Sequence, residues 1–208
     1  MFYPKLKRRT KKEYHNRLGQ YYADYRKNYD KIAEDCKHRC VYCDILVDEM
    51  GGEGMQLDHF RPQHHFPTLA TDPYNLYLSC PKCNVLKSKD WPCSKDPTRP
   101  SFVGSVGYLD SFSHQASSFL VVDNEGAIVS LGGPVNYMVK KLSLNRLSRT
   151  QIRRKRVIDN KKNNLSSNIT MMMGKILKEA RDNPSLTKEE ILNKLENIQV
   201  LQQKINSL

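Results

Sequence analysis

The sequence predicts an α+β protein. A small strand–strand–helix module lies across two cysteine knuckles, with a helix before it and a helical region after it. Three observations carry this prediction. Four cysteines fall as Cys40-x2-Cys43 and Cys80-x2-Cys83. Two short apolar stretches, "MQLDHF" and "NLYLSC", sit where strands are needed, and "PKCNVLKSK" opens on a proline as a first helical turn does. Near both ends, apolar residues recur at helical spacing. The expected organisation is 1–35 as a basic helical extension, 36–95 as the cysteine-bearing module, and 96–208 as a hairpin followed by helices.

Taken in order, helix is expected from about Lys11, where Tyr14, Leu18, Tyr21, Tyr22, Tyr25, Tyr29 and Ile32 define one apolar-aromatic face. That face suits core packing, with base stacking as the sharper alternative. Gly51, Gly52 and Gly54 mark the loop before the first strand. After a proline-bearing loop (Pro92, Pro97, Pro100), "SFLVVDNEGAIVSL" reads as a hairpin turning at "DNEG". Helix resumes from Asn136. Arg146 to Lys162 carries eight Lys or Arg against one Asp, as either a solvated helix face or a nucleic-acid contact. "TKEE" at Thr187 announces the last helix with a capping box. Ile191, Leu195, Ile198, Leu201, Ile205 and Leu208 then form a narrow seam, suited to packing within the chain or to a homodimer.

Only 38% of the 208 residues are hydrophobic, so a modest core with a staple is expected. The net charge of +12 favours a polyanionic partner, nucleic acid being the commonest. The longest uninterrupted apolar run is Phe119 to Val122, far short of the ~18 residues of a membrane span. The first twelve residues include six Lys or Arg with no apolar run behind them, unlike a secretory signal. The chain therefore reads as cytoplasmic, without a membrane partner, where paired cysteines hold metal more often than they form disulfides.

A two-residue gap lets both thiolates of a knuckle face one ion, and two knuckles complete a tetrahedron, so Cys40, Cys43, Cys80 and Cys83 are expected to hold a structural Zn2+. Such a site has no open position and does no chemistry. The 36 residues between the knuckles leave room for an inserted function. Cys36 and Cys93 are expected to be ordinary thiols. Between and just after the knuckles lie Asp58-His59, Asn75 and Asn84. Hydrolysing a phosphodiester needs a proton acceptor for water, for which neutral histidine is suited. It also needs a hard cation, which carboxylate and amide oxygens can hold.

With "LDHFRP", "NLYLSCPKCN" and "LKSK" in that order, residues 40 to 89 resemble the HNH, or ββα-metal, endonuclease family in its four-cysteine branch. The resemblance implies Asp58 and Asn84 as ligands of a catalytic Mg2+ or Mn2+, His59 as general base, and Asn75 as the brace of the intervening loop. It implies a metal-dependent endonuclease acting on DNA and leaving 5′-phosphate and 3′-hydroxyl ends. Arg61, Lys87 and Lys89 are candidates for the phosphate backbone, and His64 and His65 read as exposed loop residues. "VKKLSLNRLSRTQIRRKRVI" extends the resemblance, more weakly, to HNH proteins of retrons and Septu-type phage defence. That implies antiviral defence and an ATPase partner subunit. The alternative reading is a non-catalytic zinc-knuckle subunit that binds nucleic acid or takes part in assembly.

Overall fold

A computed structural model describes residues 2–183 and 185–207. By packing, the chain divides into Met1–Arg153 and Arg154–Leu208.

In the first unit, strands β1 (Gln56–His59) and β2 (Leu76–Ser79) pair antiparallel, with Leu57 opposite Leu78, Asp58 opposite Tyr77 and His59 opposite Leu76. β2 is buried on both faces, and burying side chains such as Leu76 and Leu78 contributes about 1.5–3 kcal/mol each. Helix α2 (Pro81–Lys87) follows at once. Pro81 supplies the fixed φ of a first helical residue, and Ser88 ends the helix at φ +46°. The strand–strand–helix module thus forms where its apolar stretches and proline placed it.

The α1 helix (Tyr29–Asp35) is much shorter than the helix expected from Lys11. Side chains compete for the backbone upstream. Asn16 Oδ1 accepts from Leu18 N at 2.8 Å and Gln20 N at 3.2 Å, and Gly19 sits at φ +74°. Only 3-10 turns remain, at Lys11–Tyr14 and Tyr25–Asn28. The tyrosine stripe is therefore dispersed. Tyr14 and Ile32 are in the core, Leu18 is exposed, and Tyr25 and Tyr29 are half-buried. The N-terminal strand of chain is also woven in: Tyr3 N donates to Asp44 Oδ1 at 3.1 Å and Tyr3 Oη donates to Tyr42 O at 3.0 Å.

Further on, β3 (Phe102–Val103) and β4 (Val106–Gly107) make one short hairpin, and β5 (Leu120–Val122) and β6 (Ile128–Ser130) make the hairpin expected around "DNEG". Helix α3 (Val135–Lys141) leads into α4 (Leu147–Asp182). Asn145 grips the second hairpin with both amide atoms, Oδ1 accepting from Ile128 N at 2.8 Å and Nδ2 donating to Ile128 O at 2.9 Å.

In the second unit, α5 (Lys188–Asn206) starts at the expected box: Glu190 N donates to Thr187 Oγ1 at 3.2 Å and Thr187 N donates to Glu190 Oε2 at 2.8 Å. Its seam is used within the chain. Ile198 is buried with Ile169 and Ile176 of α4, flanked by Ile191, Leu201 and Ile205. Leu195 is partly exposed, and Leu208 lies outside the described residues. Among the described residues, no helix is long and apolar enough to cross a membrane.

Candidate active site and metal centre

The two knuckles converge as expected. The Sγ atoms of Cys40, Cys43, Cys80 and Cys83 all lie within 4.8 Å of one another and are buried, with Cys43 and Cys80 3.7 Å apart. Zn–S bonds of about 2.3 Å in a tetrahedron place sulfurs about 3.8 Å apart. The donor set and its size fit a closed zinc site. Cys36 stays apart, accepting from Leu78 N at 3.4 Å, with its thiol pushed up to about 11 by burial.

The basic run after Asn145 turns out to support this centre, which neither of its sequence readings foresaw. Arg146 reaches Cys80 Sγ at 3.6 Å and Cys83 Sγ at 3.8 and 3.9 Å. Burial opposes its charge, but the neighbouring Cys83 and Cys43 sulfurs raise its pKa overall. Zn2+ with four thiolates carries a net charge of −2, which this guanidinium offsets. Arg153 is 1% exposed and donates to the carbonyls of Gly126 (2.6 Å), Cys43 (3.1 Å) and Leu144 (2.8 Å). Arg146 and Arg153 follow the "LSLN" stretch seven residues apart, about two helical turns, a spacing that puts them on one side of the chain's path into α4.

Asp58 and His59 close β1 and take different partners, yet both line one cavity of about 330 Å³ together with Asn84 and Lys89. His59 Nε2 lies 2.8 Å from Ala70 O. A carbonyl only accepts, so Nε2 carries a proton, which leaves Nδ1 as the ring nitrogen that can accept one. The Tyr25 ring meets the imidazole edge-on, centroids 4.9 Å apart at 73°. Ala70 is itself held by the loop that Asn75 braces. Asn75 Oδ1 accepts from Arg61 N at 2.8 Å, and Nδ2 donates to Arg61 O at 2.9 Å and Leu69 O at 3.3 Å. One buried amide thus spans both ends of the loop whose carbonyl orients His59.

Asp58 Oδ2 accepts from Tyr42 Oη at 2.5 Å and pairs with Lys87 Nζ at 3.0 Å, while Oδ1 has only a longer 3.3 Å contact to Lys87. Burial raises the Tyr42 phenol well above its ordinary pKa, helped by Asp58, so Tyr42 is a donor here. Asn84, half-buried on α2, donates Nδ2 to Gln56 Oε1 at 2.9 Å, leaving its amide oxygen unbonded among the described residues. A carboxylate oxygen and an amide oxygen on one cavity suit a hard divalent cation.

One candidate for the phosphate backbone, Lys87, is corrected by these contacts. Lys87 is fully buried, bonded to Asp58 and, at 2.7 Å, to His59 O, so its ammonium is internal. Burial lowers its pKa, with Asp58 partly opposing. Arg61 is half-buried with its guanidinium 4.9 Å from the Trp91 centroid and donating to Arg99 O at 2.7 Å. Lys89 is exposed at the cavity rim. Tyr25 was singled out only as part of the aromatic face, and Tyr42 and Ala70 were missed by sequence reasoning, since a tyrosine inside a knuckle or a bare carbonyl has no signature. Arg146 and Arg153 had one in the spacing of their run.

The strand–strand–helix module and its four-cysteine cluster lie within residues 40–90, which match the model of the HNH endonuclease family. Among characterised proteins, the Septu protein PtuB of Bacillus thuringiensis is 38% identical over 63 residues, which are 29% of this chain and 24% of that protein. Protein ea31 of Escherichia phage lambda is 30% identical over 77 residues, 37% of this chain and 24% of ea31. The chain thus spans about a quarter of the length of these curated relatives. No solved structure matches it.

Proposed function

We propose that this protein is a metal-dependent endonuclease hydrolysing DNA phosphodiester bonds, with residues 36–95 as its working module and His59 as general base. The observation that carries the reading is the clamp on His59: Nε2–H is tied to Ala70 O, which directs the Nδ1 lone pair to the water it deprotonates. Asp58 and Asn84 would hold a Mg2+ or Mn2+ ion through their oxygens. When bound, that ion stabilises the charge on the phosphorane and on the departing 3′ oxygen. Water adds to phosphorus as its proton passes to His59, and the P–O3′ bond breaks, the departing oxygen taking a proton from solvent, to leave a 5′-phosphate and a 3′-hydroxyl. Asn75 positions the base, Lys87 and Tyr42 position Asp58, and Lys89 meets the phosphate backbone. The zinc is structural only.

Similarity to a Septu protein supports a role in antiviral defence, and with that role we propose a cytoplasmic location and an ATPase as partner subunit. A homodimer would bring two copies of the single site to one substrate, whereas a monomer would cut one strand at a time. The test is plasmid cleavage with magnesium or manganese, with a chelator as control. His59→Ala should lower the rate by at least about a hundredfold while zinc content and DNA binding persist. Undiminished cleavage by that variant would overturn the assignment. The second reading, a non-catalytic zinc-knuckle subunit, explains the charge and the thiols but leaves the His59 clamp without a purpose.

A further inference from the structure

The candidate site is the middle of three cavities in series. On one side it shares Tyr25, Leu57 and Asn84 with a cavity of about 470 Å³, to which Tyr29, Arg26 and Met55 contribute. On the other it shares His64, Ser88 and Lys89 with a cavity of about 520 Å³, extended by His65 and Lys141. The two ends differ in chemistry. The first has two half-buried tyrosine rings, an apolar floor of Met55 and Leu57, and an exposed arginine at its rim. The second is polar, with the exposed His64 imidazole, the exposed Lys89 ammonium, and Lys141, whose ammonium is shared with Asp90 at 3.4 Å.

From this polarity we infer that the groove binds an unpaired nucleic-acid strand, a base on one side of the cut seated against Tyr25 and Tyr29 and the phosphates on the other side held by His64, Lys89 and Lys141. The inference rests on the scissile phosphate lying in the middle cavity, as proposed above. A duplex presents its phosphates outermost, and placing one against Met55, Leu57 and two rings would strip its water without replacing it. An unstacked base fits that wall, because every base has a π-face and stacking on aromatic rings is tolerant of sequence. Arg26, whose guanidinium is 5.7 Å from the Tyr25 centroid, adds a cation beside the ring. Tyr25 also touches His59, so the seated base and the general base share one wall. Tyr25 and Tyr29 precede residues 40–90, and this subsite therefore belongs to the surroundings of the HNH domain.

The experiment uses the full chain carrying His59→Ala, so that substrate survives. Single-stranded DNA, single-stranded RNA and duplex DNA of one sequence, each with 5-iodouracil, are photo-crosslinked and the attachment sites mapped by mass spectrometry. Crosslinks from a single strand to Tyr25 or Tyr29 are expected. Adding Tyr29→Ala should weaken single-strand binding about tenfold, whereas Tyr29→Phe, which keeps the ring, should leave it unchanged; retained zinc verifies the fold of both. Crosslinks only elsewhere, a preference for duplex, or unaltered affinity of the alanine variant would overturn the inference. Because the readout is binding, tyrosine crosslinks in a chain that cleaves nothing would sustain this subsite while refuting the nuclease reading.

Discussion

At the scale of single residues, the buried Asp58–Lys87 pair decides how the site is built. The side chains are 5% and 0% exposed, so each charge depends on the other and on the Tyr42 hydroxyl. Breaking such a pair by removing one partner costs about 3–5 kcal/mol, because the remaining charge stays buried. Lys87→Met is therefore expected to lower unfolding free energy by that order in denaturant titration, as well as to impair cleavage. A surface phosphate-binding lysine would instead change affinity and salt dependence with little effect on stability. The same ammonium binds His59 O, so one side chain fixes the end of β1 beneath both candidate catalytic residues.

At the scale of elements, the knuckles, α2 and the start of α4 form one supporting assembly. Structural zinc contributes about 10–16 kcal/mol in small metal-dependent folds, as much as a whole domain's net stability of about 5–15 kcal/mol. Chelation should therefore unfold the Cys40–Lys87 module and abolish cleavage irrespective of the catalytic ion. Arg146 gives this a finer test. Loss of a group contacting the ligands typically weakens metal binding by about 10- to 100-fold. Arg146→Ala is expected to surrender zinc to a chromophoric chelator at correspondingly lower chelator concentration. Lys155 lies in the same basic run outside these contacts, and Lys155→Ala should leave zinc retention unchanged.

At the scale of the whole molecule, the core is unusually dependent on tyrosine. Burial raises the phenols of Tyr3, Tyr42 and Tyr77 well above the ordinary value of 10.0, with Asp44, Asp58 and Asp110 adding to it respectively. Tyr14 and Tyr108 are raised too, first by burial and then by hydrogen bonds to Asp35 and Asp90. A pKa higher in the folded than in the unfolded state gives stability that is complete below the unfolded value and lost as pH climbs towards the folded one. Stability should therefore fall steeply above about pH 10. Phenolate absorbance should appear together with unfolding rather than before it. A tyrosine titration that ran ahead of the loss of helix would contradict this account.

Much of this protein was legible from sequence because its signals are local. A two-residue gap between cysteines, alternating apolar strands, a proline opening α2 and a Thr187–Glu190 box each act over a few residues. Sequence by itself therefore determined the four-cysteine cluster, the strand–strand–helix order, the second hairpin and the last helix, and it named Asp58, His59 and Asn84 as candidates that the fold brings to one cavity. The long first helix was misread, since helical spacing cannot register an Asn16 side chain and Gly19 diverting the backbone. Tertiary structure alone decided which cations are internal. Lys87 and Arg153 have the same composition signal as any surface cation, and only packing against Asp58 or against the Cys43 carbonyl distinguishes them. It also decided that His59 is anchored through Nε2, because the carbonyl it meets lies eleven residues away, across a loop closed by Asn75.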